Sequence, residues 1–243
     1  MIAESPEEFA AAVRAHRLDG VGLDREAVAR AGAALAAAGL LVVGEAHGVR
    51  ETPNVLYALT RALGSRAVAF EWSHEELDSP VQAFMQNGSF DFERLWTLPA
   101  PAELFCGDGR VTAGHFALLR RLRDERRVEH VVLFDRLDPE PPPADPSARE
   151  RELADRLLAE WDDRLPLLVL TGAGHARLDR AGTMASWVAR QRPGLEAAMI
   201  DYERGQGWFH GPYDLSGPMP PAAISLGVPT GTPAVVPGRV RDA

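Results

Sequence analysis

Two short apolar runs, each followed by the pattern Gly-x-x-His, constrain the fold of this chain more than any other feature. The first run, Leu40–Val43, precedes Gly44-Glu45-Ala46-His47, and the second, Leu167–Thr171, precedes Gly172-Ala173-Gly174-His175. Each run has the length and branched side chains of a fully buried strand in a parallel sheet. Ligands of open α/β sheets bind beyond the carboxyl ends of the strands, so we expect both histidines to reach one pocket.

Two further apolar runs end in a carboxylate rather than a histidine. Ala67–Phe70 is followed by Glu71, and His130–Phe134 is followed by Asp135. A carboxylate at the end of a buried strand is costly unless it is paired or serves a site. We therefore expect Glu71, and less strongly Asp135, to lie beside the two histidines.

Strand and helix patterns alternate along most of the chain. This alternation predicts the α/β class, with a mostly parallel sheet and helices on both faces. Beside the strands at 40–44, 66–71, 130–134 and 167–171, a strand is predicted at 197–200. Caps and apolar periodicity predict helices from Ser5 to Arg17, Asp24 to Gly39, Thr52 to Gly64, Ser79 to Gln86, Thr112 to Arg127, Ser147 to Trp161 and over 181–191.

The last part of the chain differs in composition. Fourteen of the 39 residues from 205 to 243 are glycine or proline, so long regular elements are disfavoured there. We predict a single α/β domain over residues 1–204, which contains the cleft, and a Gly/Pro-rich C-terminal extension over 205–243 with one strand near 222–228. The apolar cluster from Trp208 to Leu215 predicts that the extension packs on the domain. It either walls the cleft or covers a remote face.

Composition excludes several classes of function. The net charge of −9, from 26 basic and 35 acidic residues, argues against a nucleic-acid partner. The single cysteine, Cys106, rules out a disulfide framework and a cysteine-based zinc site. No apolar stretch is long enough to span a membrane, and the first residues lack the features of a secretory signal. We therefore expect a cytoplasmic protein with no membrane partner.

The side chains at the strand ends can carry acid–base chemistry. His47 follows Glu45 by two residues, which suits either a metal ligand with a base or a hydrogen-bonded carboxylate–imidazole pair. His175 lies after two glycines that allow close approach of a ligand to the backbone. Glu71 is a candidate base, ligand or orienting group for a histidine. The alternative is structural: a helix cap for Glu45, a salt bridge for Glu71 and turn positions for the histidines.

The same motifs resemble those of a known superfamily. Val43 to Gly48, Phe70-Glu71 and Leu170 to Ala176 resemble the superfamily that groups erythromycin esterases, ChaN-like haem-binding proteins and Tiki/TraB metalloproteases. The segment Ser147 to Ala154 also looks like the helix that precedes the second motif in the ChaN branch. The resemblance therefore implies an EreA/ChaN-like α/β core and adds Arg149 as a pocket residue.

The resemblance does not imply one activity, because ester hydrolysis, peptide hydrolysis and haem binding all occur on this scaffold. The leading hypothesis is a cytoplasmic hydrolase that cleaves an ester, lactone or amide bond of a small molecule. One histidine would activate water, Glu45 or Glu71 would orient it or act as a second base, and Arg149 would hold an oxyanion or carboxylate. In a variant of this hypothesis His47, His175 and Glu45 bind zinc, manganese or iron. The alternatives are a haem- or other ligand-binding protein without turnover and an inert paralogue.

Overall fold

The computed structural model describes residues 1–98, 107–136, 145–215, 217 and 219–238. Cys106 and most of the predicted proline-rich loop at 138–146 lie outside these ranges. The strands are β1 (Ile2–Ala3), β2 (Leu40–Glu45), β3 (Ala67–Ser73), β4 (His130–Asp135), β5 (Leu167–Gly172), β6 (Ala197–Tyr202), β7 (Gln206–Trp208), β8 (Pro212–Asp214), β9 (Ile224–Val228) and β10 (Val236–Pro237).

Six of these strands form one parallel sheet in the order β4-β3-β5-β2-β6-β9. The two strands that carry the Gly-x-x-His pattern, β2 and β5, pair directly and in register from Leu40 with Leu167 to Glu45 with Gly172. β3 lies on the other side of β5. The strand ends that carry Glu45, Glu71, Asp135 and Gly172 therefore lie side by side at the carboxyl edge of the sheet.

Helices cover both faces of this sheet. They are α1 (Pro6–Ala15), α2 (Arg25–Ala38), α3 (Thr52–Leu63), α4 (His74–Asn87), α5 (Glu93–Trp96), α6 (Ala113–Asp124), α7 (Pro146–Glu160) and α8 (Met184–Gln191). Successive side chains of a strand point to opposite faces. Leu41 and Val43 accordingly join the core under α1 to α6, whereas Leu40 and Val42 join the core under α7 and α8. The predicted α/β class is confirmed.

Most helix ends follow the capping signals of the sequence. Ser5 Oγ accepts a hydrogen bond from the Glu8 amide at 3.2 Å, and Asp24 caps α2 in the same way. Gly39 and Gly64 end α2 and α3 in the left-handed conformation that glycine favours.

The helix predicted to begin at Ser79 is wrong in its start, because α4 begins at His74 and contains Pro80. Proline cannot donate the backbone hydrogen bond that would reach the Glu76 carbonyl four residues earlier. The Nε of Arg94 donates to that carbonyl instead, at 3.1 Å. A bond from outside the helix thus partly compensates for the proline, and the local sequence gives no sign of it.

The C-terminal segment contributes strands to the body of the molecule. β9 pairs in parallel with β6 at the edge of the main sheet, β7 and β8 form a hairpin, and β10 pairs with β1. The strand predicted near 222–228 is thus present, and it belongs to the main sheet. The domain division at residue 204 stays a prediction. No helix in the part of the chain that the structure describes is long and apolar enough to cross a membrane.

Candidate active site

His47 is held by the carboxylate two residues before it. Its Nδ1 lies 3.1 Å from Oε1 of the buried Glu45. The ring is stacked on Phe209, with centroids 6.3 Å apart and an interplanar angle of 14°. The backbone carbonyl of His47 accepts a hydrogen bond from the Tyr213 hydroxyl at 2.7 Å. Contacts from β2 and from the C-terminal segment therefore fix both the ring and the turn.

His175 is held in the same way by a carboxylate from a different element. Its Nδ1 lies 2.7 Å from Oε1 of Glu150 in the first turns of α7, and its Nε2 lies 3.4 Å from Oε1 of Glu71. The other oxygen of Glu150 accepts a hydrogen bond from the Met184 amide at the start of α8. The imidazole is thus placed between two carboxylates.

The two histidine rings meet at Gly172, the last residue of β5. A Cβ atom added to Gly172 would lie 2.9 Å from His47 Nε2 and 3.5 Å from His175 Cδ2, so these two ring atoms are at most 6.4 Å apart. The side chains of His47 and His175 are 17% and 20% exposed, so both are partly accessible to solvent. The predicted meeting of the two Gly-x-x-His motifs at one place agrees with this geometry.

Glu71 lies at the centre of the hydrogen bonds at this edge. Its Oε2 accepts hydrogen bonds from the Thr171 hydroxyl at 2.6 Å and the Gly172 amide at 2.8 Å, and its Oε1 accepts one from Arg110 Nη1 at 3.3 Å. Burial opposes ionisation of Glu71, but the charges of His175, Arg110 and His47 outweigh it. The pKa of this carboxyl therefore lies well below its ordinary value.

Arg110 is a site residue that the sequence analysis missed. Besides Glu71 it binds Asp108, at 2.6 Å, and Asp135 at the end of β4. Burial lowers the pKa of Arg110, but these three carboxylates raise it further than burial lowers it. Arg110 comes just after a glycine in a segment without strand or helix periodicity, so no sequence pattern marks it.

Arg149 reaches the edge of the sheet, as the sequence analysis proposed. Its Nη2 donates to both carboxylate oxygens of Asp135, at 3.1 and 3.0 Å. Burial and the charge of Glu71 raise the pKa of Asp135 to about 6, and the two arginines limit that rise. Glu150, one residue further along α7, was missed although it contacts His175 directly. The first turn of a helix that follows a strand lies at the carboxyl edge, and this rule would have found it.

The carboxylates around the histidines change their acid–base behaviour. Burial lowers the pKa of His175, but Glu71 and Glu150 raise it by more, so the net shift is upward. For His47, burial also lowers the pKa, and Glu45 together with Glu71 and Asp108 more than compensates. Burial raises the pKa of Glu45, while its partner His47 limits the rise. Both imidazoles are therefore stronger bases than free histidine.

The turn after β2 is packed tightly against the C-terminal segment. Gly48 has φ +68°, and a Cβ atom added to it would lie 2.0 Å from the Trp208 carbonyl oxygen. Only glycine fits this combination of backbone conformation and contact. The segment around Trp208 therefore borders the turn that carries His47, in agreement with the expectation that it walls the site.

The structure does not test whether the predicted set of His47, His175 and Glu45 binds a metal. Among the described residues, no three His, Cys, Asp or Glu side chains are arranged to hold a metal ion. One oxygen of Glu45 faces Nδ1 of His47, and Nδ1 of His175 faces Glu150. These contacts orient the imidazoles, and the metal-binding variant stays a prediction from the sequence.

Comparison with known proteins gives a likeness in fold. No family model and no curated protein matches the chain. The chain is similar to the structure of RRSP, a MARTX toxin effector domain from Vibrio vulnificus, with a TM-score of 0.51, 14% identity and coverage of 80% of this chain and 37% of that one. It thus spans less than two fifths of that protein. Two further solved structures match it at 14% identity. They are the C-terminal region of Pasteurella multocida toxin (TM-score 0.49, 81% of this chain, 26% of that one) and the type III effector HopBA1 (TM-score 0.45, 91% and 98%).

These findings correct the resemblance drawn from the motifs. RRSP, which this chain resembles in fold, is a toxin effector domain, and no family model matches, those of the erythromycin esterase, ChaN and Tiki/TraB families included. Assignment to that superfamily is therefore wrong, as are the small-molecule hydrolase and haem-binding functions inferred from it. The motifs are short strand-end patterns, and strand ends of this kind occur on many α/β folds.

Proposed function

We propose that this chain is a catalytic domain of the effector type, in which His47 and His175 perform paired general acid–base catalysis on a macromolecular substrate. One observation carries the catalytic part. Each histidine is held at Nδ1 by a carboxylate, and the two rings meet at Gly172. A carboxylate at Nδ1 fixes the tautomer of each ring. Nε2 of His47 is left for proton transfer, whereas Nε2 of His175 lies at the longer distance of 3.4 Å from Glu71 Oε1.

We assign the two rings different roles, and their surroundings support this assignment. His175 lies between Glu71 and Glu150, which favour its charged form, so it is the proton donor to a leaving group. His47 has one carboxylate partner, Glu45, and its Nε2 faces Gly172. The pKa of His47 is raised as well, so its role rests on geometry: no carboxylate of the described residues is within ion-pair distance of its Nε2, and we assign His47 as the base that takes a proton from the attacking group. Arg110 holds Glu71 in position, and Arg149 is held at the same edge by Asp135.

The charge of the site limits the substrate. Among the described residues, five carboxylates lie at this edge against two arginines and the two imidazoles: Glu45, Glu71, Asp108, Asp135 and Glu150. A phosphodiester or another anionic group would be repelled, so we expect attack at an uncharged centre and no nucleic-acid substrate. The fold likeness to an effector domain supports a macromolecular substrate, by analogy. The cytoplasmic site of action expected from the sequence stays a prediction, and a small-molecule substrate is the alternative that the second arm of the test below examines.

The proposal can be tested without a known substrate. The chain is expressed in cells beside His47→Ala and His175→Ala, with His130→Ala at the opposite edge of the sheet as the matched control. We expect the parent chain and His130→Ala to arrest growth. The two site variants should allow growth, because each should lose catalytic activity by at least about 100-fold. Proteome comparison of the arrested cells then identifies the altered macromolecule, and a small-molecule panel serves as the second arm. Equal toxicity of all four chains, or none, would reject the proposal.

A further inference from the structure

A groove on the face covered by α3 and α6 collects positive charge on an acidic protein. It has a volume of about 880 Å³ and runs between α3, α6 and the segment that follows α1. Five arginines line it: Arg17, Arg61, Arg120, Arg121 and Arg127. The acidic side chains that line it are Asp19 and Asp124, so positive charge is in excess there although the whole chain carries −9.

Three of these arginines have no carboxylate partner within ion-pair distance in the part of the chain that the structure describes. Arg17 donates to the Arg14 carbonyl at 3.4 Å, and Arg120 donates to the Val13 carbonyl at 3.3 Å. Arg61 lies over the ring of Tyr57, 5.6 Å from its centroid. These contacts position the guanidinium groups and leave their charge without a counter-ion.

The other two arginines are held by one acidic residue. Glu125 lies 2.6 Å from Arg121 and 2.5 Å from Arg127, and it also accepts the Tyr57 hydroxyl at 2.8 Å. One carboxylate thus offsets two guanidinium groups. The groove therefore contains several guanidinium groups in fixed positions, and the carboxylates near them are too few to neutralise their charge.

We propose that this groove binds a compact ligand that carries two or more phosphate groups. The planar guanidinium fork matches the oxygens of a phosphate better than an ammonium does. A ligand with several phosphates relieves the repulsion among neighbouring arginines, which a single small anion cannot do. A volume of about 880 Å³ is in the range of small-ligand pockets and exceeds that of one phosphate. The acidic remainder of the surface disfavours an extended polyanion.

This site is separate from the histidine pair. α3 follows β2 and leads into β3, and α6 leads into β4, so both helices end near the amino edge of the sheet. Arg61, Arg121 and Arg127 lie in or after the last turns of these helices, away from the carboxyl edge. The groove is thus a second site, and its ligand is bound independently of the reaction proposed above.

The test measures binding at physiological salt by calorimetry. The probes are inositol hexakisphosphate and ATP as free ligands, and vesicles with and without phosphatidylinositol bisphosphate. We expect the parent chain to bind a free probe or the phosphoinositide vesicle, which distinguishes the two sources of the same chemistry. Arg61→Ala combined with Arg120→Ala should weaken that binding by at least about tenfold. Arg61→Lys combined with Arg120→Lys should bind more tightly than the double alanine variant and more weakly than the parent chain. The lysines keep the positive charges but lack the planar pair of N–H donors of a guanidinium group.

The matched control is Arg25→Ala combined with Arg30→Ala, which removes two exposed arginines of α2 outside the groove. This variant should bind like the parent chain. Equal loss in both double variants would mean that only overall charge matters, and it would overturn the proposal. So would failure of every probe to bind, competition by sulfate at similar concentration, or tighter binding of single-stranded RNA than of the compact phosphates.

Discussion

Oε1 of Glu71 lies 3.4 Å from Nε2 of His175, and each of the two groups has a further contact that fixes its position. Glu150 fixes the far nitrogen of the imidazole, and Arg110 fixes the same oxygen of Glu71. An ion pair in such a partly buried setting favours the imidazolium form. Burial lowers the pKa of His175, and the charge of Glu71 is the largest of the influences that raise it.

Replacing Glu71 by glutamine removes this charge and nearly preserves the shape. We expect the pKa of His175 to fall toward that of free histidine, since its largest favourable interaction is lost. Proton titration by NMR measures this directly. Activity in the growth assay should fall by about 100-fold or more. Glu129→Gln, which alters an exposed pair with Arg66, is the control and should change neither. An unchanged His175 titration would contradict the assignment.

A methyl group at Gly172 probes the meeting of the rings. In Gly172→Ala the new Cβ would lie 2.9 Å from Nε2 and 3.1 Å from Cε1 of His47, so that ring must shift. We expect the variant to fold and its catalytic activity to fall by about 10- to 100-fold, because small misplacements of reacting groups are costly. Gly174→Ala is the matched control, since nothing lies within 4 Å of its Cβ. Equal effects of the two substitutions would show that the ring contact is irrelevant.

The sequence predicted the parts of this site that follow from strand ends. Glu45, Glu71 and Gly172 lie on adjacent strands because apolar runs of buried strands are easily identified and parallel strands end at one edge. It did not predict Arg110, whose neighbours in the chain have no periodicity. The sequence analysis added Arg149 only through the family resemblance and gave no physical reason for it to reach this edge. In the structure α7 begins at that edge, because a helix that connects parallel strands starts where the first strand ends.

The edge strand of the main sheet was only partly predictable. The run around 222–228 suggested a strand, but its partner β6 lies more than twenty residues earlier in the chain, and local sequence does not encode such pairing. The start of α4 was missed because Pro80 usually marks a helix start, and a hydrogen bond from Arg94 partly compensates for it inside the helix. Long-range contacts of this kind determine where the secondary structure departs from what the local sequence predicts.

The ion pairs of His175 predict a defined dependence of stability on pH. The pKa of His175 is raised above its ordinary value of 6.5, so its contribution is fully present below pH 6.5 and is lost as the pH rises through the higher folded value. The pKa of Glu71 is depressed below 4.5, so its contribution is present above pH 4.5 and is lost only in stronger acid.

Thermal unfolding of the parent chain and of His175→Gln measures this effect. Between pH 5 and pH 6.5 we expect the melting temperature of the parent chain to exceed that of His175→Gln by an amount on the order of a few degrees. Above neutral pH this difference should shrink. Glu129→Gln should show no such trend. A difference that grows with rising pH would contradict the predicted direction of the pKa shift.

Gly48 tests the packing of the turn that carries His47. Gly48→Ala places a Cβ atom 2.0 Å from the Trp208 carbonyl oxygen at φ +68°, so it adds a backbone clash to the conformational cost. We expect a loss of unfolding free energy of more than about 2 kcal/mol. Gly64→Ala has nearly the same φ, +66°, and open space around the Cβ, so it should cost only about 1 kcal/mol. Chemical denaturation of both variants gives the comparison.

The last prediction concerns Phe209, which stacks on His47 and is 53% exposed. Truncation of the C-terminal segment is an unsuitable test of its role, because it would also remove β9 from the main sheet. Phe209→Ala keeps the segment and removes only the ring, with its contacts to His47 and His210. We expect little change in the melting temperature, because the side chain is exposed, together with a raised KM and a looser His47 ring visible by NMR. Phe209→Leu keeps an apolar side chain and should be intermediate. Unchanged kinetics and an unchanged His47 signal would show that this segment borders the site without shaping it.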